Sequence, residues 1–478
     1  MYNIINYPIA ALAKHIKLQC GVLSVFMADK FDWELHPELD SFVQEKVSGF
    51  LERNSFARGL SSRMLDSTST RFIDWIDHIV LPAGTDPKSL AALGLSEIRG
   101  VEKAEGTKVF RHMDSYLFPI LIGNGNVTEI AIKPESLDDL SKALKANLKI
   151  DGNLLAPLRK AVINSDGDTI LSAVERRGYD GFIVKDSVDN KEYAAALEAF
   201  RSRKRDFDTD KEGMDYTENL IKGTLDRLGN GRVSDAFFRA EREYWESRNS
   251  AGRVQKARQD SLGLGWGNHD HHTYRSSREN FNRMIRIFET MGYGCREKYY
   301  AGEKAGWGAQ ILEHPVCNIV VFTDVDLNQD ETSIDFAHVP FSEKESKLGT
   351  VGLWVGLHGE SILQAGMHHL EARFVFDRLG KDLEPLGVPI MPPFSYFDFL
   401  KQAFTKGEMW KVSRRRLDVL LESGYITKEQ YDQFLSGGAL GSHMENLERD
   451  QGFKGFNRSS VTKIILETDP RKHQFTGA

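Results

Sequence analysis

The chain has 478 residues, 41% apolar and 27% charged, long enough for two or three domains with ample core and too apolar for disorder. Lys plus Arg is 62 and Asp plus Glu is 69, a formal net charge of −7; phosphate-backbone binding rests on concentrated positive charge, so nucleic acid is not the expected partner. Three cysteines (Cys20, Cys295, Cys317) without a C-x-x-C pair argue against a disulfide scaffold and for a reducing compartment, and no apolar run approaches the ~18 residues of a membrane span, so a cytoplasmic protein without membrane contact is expected.

Residues 1–70 read as a helical layer, with Phe42, Val43, Val47, Phe50 and Leu51 at helical spacing. From Phe72 the texture turns β-rich: a strand to Pro82, a short helix opened by Asp86 as N-cap with Pro87 behind it and closed by Gly94, then strands near 97–102, 108–122 and 127–133. This β-α-β-β-β order returns after Trp266. A strand over Gly267–Arg275 leads to a capping box, Ser276 with Glu279, and a helix whose face is Phe281, Met284, Ile285, Phe288 and Met291, ended by Gly292. Strands near 295–300, 308–312 and 318–323 complete it. The fold class expected is α+β, with two paired βαβββ units and helical additions. Its segments are a helical layer (1–70), a first unit (71–133), a helical insertion (134–263), a second unit with following strands (264–395) and a helical C-terminal region (396–478). The following strands are placed at 334–340, 351–357 and 367–375, helices at 396–435 with Thr427 as an N-cap, and a last apolar run at Val461–Leu466. Basic clusters at Arg201–Arg205, within 237–258 and at Arg414–Arg416 read as solvated helix faces.

Several catalytic engines are missing. No G-x-x-x-x-G-K-[ST], H-E-x-x-H or G-x-S-x-G occurs. The glycines at Gly263, Gly265 and Gly267 precede a strand instead of following one, and in Arg177-Gly178-Tyr179-Asp180-Gly181 a glycine stands where a nucleotidyl transferase needs its lysine.

Histidine is unevenly placed: eight of fourteen (His269, His271, His272, His314, His338, His358, His368, His369) fall within about 100 residues. Imidazole is a common ligand of iron, copper and zinc, so a metal site is the economical explanation. Strand alternation sorts the candidates. His269, His271, Thr273 and Arg275 share one face, as do His369, Glu371 and Arg373; His78 stands alone between Ile76 and Val80. Each has a bland alternative: a structural histidine for His271 and His78, an ion pair of Glu371 with Arg373, a rim arginine for Arg275. His269, His369, His338 and Glu129 are reserve ligands.

On these parts the chain resembles the vicinal oxygen chelate superfamily. More narrowly it is similar to the iron-dependent 2-oxoadipate dioxygenase/decarboxylase (2-hydroxyglutarate synthase) family, whose parts follow the order seen here: His78 in Ile76-Asp77-His78-Ile79-Val80-Leu81, a long insertion, His271 in an H-x-T-x-R pattern, and Glu371 in His369-Leu370-Glu371-Ala372-Arg373. The match covers about 70–445. The resemblance implies Fe(II) on His78, His271 and Glu371, with Zn2+ or Mn2+ as alternatives, O2 as co-substrate, and conversion of a small-molecule 2-oxo acid to a 2-hydroxy acid and CO2. A non-haem centre of two histidines and one carboxylate leaves positions open for such a substrate. Two departures stand out. The family's arginine four residues after the first histidine is Pro82 here, so either Arg275, roughly 13 Å along the strand from His271, or Arg373 holds the distal carboxylate, or the substrate differs. The small-residue loop over the family's site has only a loose counterpart at Leu435–Leu440, with Ser436. A glyoxalase-like hydrolase or isomerase using His269 and His271, and a non-catalytic small-molecule-binding protein, are the alternatives.

Overall fold

The computed structural model describes residues 33–185, 189–341, 347–457 and 468–471, all within the unit Trp33–Ala478. Cys20 and Val461–Leu466 lie outside these residues. Two eight-stranded sheets follow one plan. β1 (Ile76–Leu81), β2 (Ser96–Glu97), β3 (Lys108–Arg111), β4 (Ile120–Ile122), β5 (Thr128–Ile132), β6 (Ile150–Asp151), β7 (Leu158–Asp166) and β8 (Thr169–Arg176) lie in the order β2-β3-β4-β1-β5-β8-β7-β6. The second sheet is formed by β9 (His269–Arg275), β10 (Gly294–Tyr300), β11 (Trp307–Glu313), β12 (Val320–Asp326), β13 (His369–Arg373), β14 (Ser395–Phe397) and β15 (Leu400–Phe404). After a ribbon of β16 (Met409–Trp410) with β17 (Ala439–Leu440), β18 (His443–Arg449) completes it, in the order β10-β11-β12-β9-β13-β18-β15-β14.

The α+β class with paired βαβββ units is what the sequence led us to expect, but each sheet contains two such units, so there are four. Helices Pro87–Ala92, Leu137–Ala143, Phe281–Thr290 and Phe376–Leu383 each follow the opening strand of one. The stretch expected as a helical insertion from 134 therefore begins with the short helix Leu137–Ala143 and strands β6 to β8, and is mainly helical only in its second part, at Asn190–Arg201, Asp210–Ser247 and Ser250–Asp260. The C-terminal region expected as helical carries β15 to β18 as well as helices Arg414–Glu422 and Lys428–Gly437. Val351–Leu357, read as a strand, lies in helix Thr350–His358, and 334–340 forms no strand. Val351–Leu357 looked like a strand because the buried helix Thr350–His358 is apolar on all sides, and a short buried helix and a strand then show no distinguishing period.

Local signals behaved unequally. Asp86 caps its helix through the Lys88 N–H, and Thr427 forms a capping box with Gln430. The Ser276 box does not form. Helix Phe281–Thr290 starts later, after Asn280, because Ser277 and Asn280 donate instead to the buried carboxylate of Glu360. That helix buries Phe281, Met284, Ile285 and Phe288 completely.

The long helix Asp210–Ser247 packs Phe238 against the rings of His272, at 4.8 Å, and Tyr274, at 6.1 Å, on the outer face of β9. Its helical backbone breaks at Gly229, φ 72°, and just beyond, Gly231 meets Gly178 so closely that a Cβ on Gly178 would collide with the Gly231 carbonyl. Gly178 also has φ +66°, a left-handed conformation that favours glycine. Gly178→Ala is expected to lower stability by about 1–3 kcal/mol through overpacking alone, read as a lower denaturant midpoint; Gly100→Ala, also at positive φ but in open space, controls for backbone strain. Among the described residues no helix is long and apolar enough to cross a membrane.

Candidate metal centre

β9, β13 and β18 are neighbours in the second sheet, and their register gathers the donors. Antiparallel pairing sets His369 opposite Thr273 and Glu371 opposite His271; parallel pairing sets His369 opposite His443 and Glu371 opposite Glu445. Opposed residues share a face, so His271, His369, Glu371 and Glu445 all rise from the same side. The register slips between Glu371 and Ala372, which pairs with His269. That bulge inverts the alternation for the start of β9. His269 consequently leaves the His271 face on which the plain period had placed it, and its ring packs 5.1 Å from that of His272.

His271, His369 and Glu445 bring one donor atom each within 4.8 Å of one another. All three are buried, and His369 Nε2 lies 2.9 Å from Glu445 Oε2. Glu371 takes a different place. Its Oε1 is 2.9 Å from His271 Nδ1, with Asp270 Oδ1 3.5 Å from the same nitrogen. Nδ1 is thus engaged by carboxylates and Nε2 is left for a metal, the arrangement in which an outer carboxylate fixes the ring of a ligating histidine. Gln402 Nε2 donates to Glu371 Oε2 (3.3 Å) and Glu445 Oε1 (3.0 Å), tying the two acids together. Arg449 donates to both oxygens of Asp270 (3.2 and 3.3 Å).

Burial raises Glu371 well above the usual carboxylate range, reinforced by the charge of Glu445, and raises Glu445 despite its hydrogen bonds. Burial opposes the charged form of His271, yet Glu371 and Asp270 outweigh it and lift its pKa to about 10. His369 is pushed well down by burial and by the charge of His271. Two buried acids beside two imidazoles are a costly arrangement unless a cation neutralises them. A donor set of two histidines and one carboxylate fits Fe(II) and also accommodates Zn2+ or Mn2+.

The centre opens into a cavity of about 60 Å³ walled by the aromatic rings of Tyr299, Trp307, Phe322, Phe394, Phe404 and Phe456. Arg275 lies on this cavity, opposite Asp324 in the β9–β12 pair, with Nε 3.4 Å from Asp324 Oδ2. Burial raises Asp324 to about 7, only partly offset by Arg275. The native state then holds a proton that the unfolded chain, with an aspartate near pKa 3.9, has released. Stability contributed by this group is present below about pH 4 and lost as pH rises through about 7, on the order of a few kcal/mol. Unfolding of the metal-free protein from pH 4 to 8 is expected to show the decline, and Asp324→Asn to make it shallower, the remainder coming from other buried acids such as Glu360, also raised to about 7.

Other expected site residues lie apart from this cluster. His78 is on β1 of the first sheet, where its Nδ1 is 2.6 Å from Asp77 Oδ2 and its ring stands edge-on to Phe182. Asp77 also accepts from Arg176 Nε (2.6 Å) and Nη2 (2.8 Å), so His78 completes a buried ion-pair group and is not in the metal cluster. The reserve residue Glu129 pairs with Lys160 on that sheet. Arg373 lies 3.9 Å from Asp270 and over the Tyr116 ring, off the cavity, because Asp270, turned inward by the bulge, attracts it. Ser436 is exposed on helix Lys428–Gly437, its hydroxyl donating to the Asp432 and Gln433 carbonyls. Phe456, Asn457 and Thr468 line the cavity where a loop with Ser436 had been expected. His338 sits at the surface between Asp335 and Glu289.

Glu371 also stands with Asp270 and His271 in a second group whose donor atoms lie within 4.8 Å of one another, so His271 belongs to both groups. Glu445 stands on a strand, His443–Arg449, within the stretch expected as helical; four of its seven side chains are charged or imidazole, so no apolar alternation marks it as a strand.

No protein-family model and no curated protein sequence matches the chain. Among solved structures, a mutant 4-hydroxymandelate synthase from Streptomyces coelicolor is 13% identical, covering 85% of this chain and 99% of that one, with a TM-score of 0.26. Methylmalonyl-CoA epimerase from Mycobacterium tuberculosis is 11% identical over 38% and 88%, with a TM-score of 0.22. The uncharacterised protein YdcJ from Shigella flexneri is 11% identical over 55% and 83%, also at 0.22. Likenesses this slight carry no argument about chemistry. By its own strand order the chain is four βαβββ units joined in pairs into two eight-stranded sheets, the paired-unit α+β architecture expected from the sequence.

Proposed function

We propose that the chain is a non-haem Fe(II)-dependent dioxygenase that converts a 2-oxo acid and O2 to a 2-hydroxy acid and CO2, with His271, His369 and Glu445 as its metal ligands. The observation that carries this reading is the convergence of two imidazoles and one carboxylate, all buried, on one wall of an aromatic-lined cavity. Fe(II), when bound, supplies the activation of O2 and the positive charge that receives the acid's oxygens. The remaining work falls to the chain. Glu371 and Asp270 hold the His271 ring through Nδ1, Gln402 fixes the two glutamates, and six aromatic walls exclude water from the reacting carbons. Those walls favour a substrate with an apolar, flat body over the short diacid that the resemblance implies.

The test is anaerobic loading with Fe(II), followed by O2 uptake and CO2 release on a panel of 2-oxo acids that includes 2-oxoadipate and aromatic members. Equal amounts of O2 consumed and CO2 released are expected with at least one. Turnover that needs metal but consumes no O2 would instead favour a hydrolase or isomerase, and absence of Fe(II) binding would end the proposal.

A further inference from the structure

The end of the cavity formed by Arg275 and Asp324 has hydrogen-bonding capacity that no group among the described residues uses. Arg275 Nη1 and Asp324 Oδ1 are both buried without a partner, on residues only 4% and 3% exposed. The two side chains stand opposite each other across β9 and β12 and are joined by the Nε–Oδ2 contact of 3.4 Å. Trp354 backs the guanidinium, 5.4 Å from its ring centre. A buried donor and a buried acceptor left unpaired are each costly, so a ligand that satisfies both is bound at an advantage.

The chemistry of that ligand follows from the pair. A terminal carboxylate accepts from Arg275 but, once Asp324 is ionised above about pH 7, meets it with like charge and has no proton for it. An alkyl end leaves both atoms unpaired. A primary amide has an acceptor and a donor side by side. We propose that Arg275 and Asp324 form a subsite for an uncharged terminal amide of the substrate, its carbonyl accepting from Arg275 Nη1 and its N–H donating to Asp324 Oδ1. The proposal rests on the dioxygenase reading only for the 2-oxo acid head of the ligand, and it assigns Arg275 a neutral terminus in place of the distal carboxylate that sequence had suggested.

The experiment uses the Fe(II)-loaded enzyme without O2, at about pH 8.5, where Asp324 is ionised, with binding read by calorimetry. The ligands are 2-oxoadipate, its distal mono-amide, and the isosteric 2-oxo acid ending in an isopropyl group. The amide is expected to bind roughly 10- to 100-fold more tightly than either of the others. Asp324→Asn, with its fold checked by circular dichroism, is expected to reverse the order of amide and diacid by removing the opposing charge. Arg275→Lys keeps the charge and is expected to retain part of the preference. Diacid or isopropyl ligand binding as tightly as the amide overturns the subsite, as does an order unchanged in Asp324→Asn. The two readings fail separately: amide preference without O2 uptake on admitting air leaves the subsite and removes the dioxygenase, whereas uptake with no amide preference does the reverse.

Discussion

His369→Ala and Glu445→Ala are each expected to abolish tight binding of Fe(II), while His78→Ala leaves it unchanged. Glu371→Ala should fall between, with affinity reduced about 10- to 100-fold, because it removes the carboxylate that orients His271 and not a ligand. The order follows from position. His369 and Glu445 point donor atoms into the cluster with His271, Glu371 reaches only Nδ1 of that histidine, and His78 is on the other sheet with Asp77. Anaerobic titration with Fe(II), or with Co2+ as a spectroscopic substitute, reads all four variants, and circular dichroism checks their folds. Loss of binding in His78→Ala equal to that in His369→Ala would mean the wrong three residues have been grouped. Removing Glu445 also separates two buried acids, so the metal-free form of that variant should resist denaturant at least as well as the parent, and destabilisation is not available as an explanation for lost binding.

Glu241→Ala is expected to cost about 3–5 kcal/mol, since it leaves buried arginine charge without its partner. Glu241 is completely buried, as is the Arg203 side chain that meets it at 2.9 Å. Arg205 donates to the same oxygen, and Tyr274 of β9 donates to the other at 3.2 Å. Through the same arginines the group reaches the main chain beside the second sheet: Arg203 donates to the Ile362 carbonyl and Arg205 to that of Leu363. The cluster at Arg201–Arg205 is therefore only in part the solvated helix face its composition suggested. Arg201, paired with Glu243 at the surface, fits that description. Glu243→Ala is the control, expected to change stability by less than about 1 kcal/mol. Denaturant midpoints that fall equally for the two glutamates would show that burial does not set the difference.

Much of the second sheet could be read directly. Helix Phe281–Thr290 buries the face that its apolar spacing marks, and β9 begins and ends within two residues of its expected limits. The second and fourth units could not be read in this way. β7, Leu158–Asp166, exposes part of its length, and the three residues of β14 are too few to establish a period; the fourth unit is also split by two helices and a ribbon before β18 closes it.

What the sequence determined by itself was local: which runs alternate, which helices have an apolar stripe, and that imidazoles and acids are concentrated in one part of the chain. These depend on residues a few positions apart, where backbone periodicity links spacing to facing. Which donors meet was decided by pairing between strands distant in the chain. A single bulge opposite Glu371 turned His269 away and brought Asp270 in, and the parallel partnership of β13 with β18 placed Glu445 beside His369, 76 positions earlier in the chain. Register is set by which faces the whole sheet can bury, a condition that no window along the chain contains.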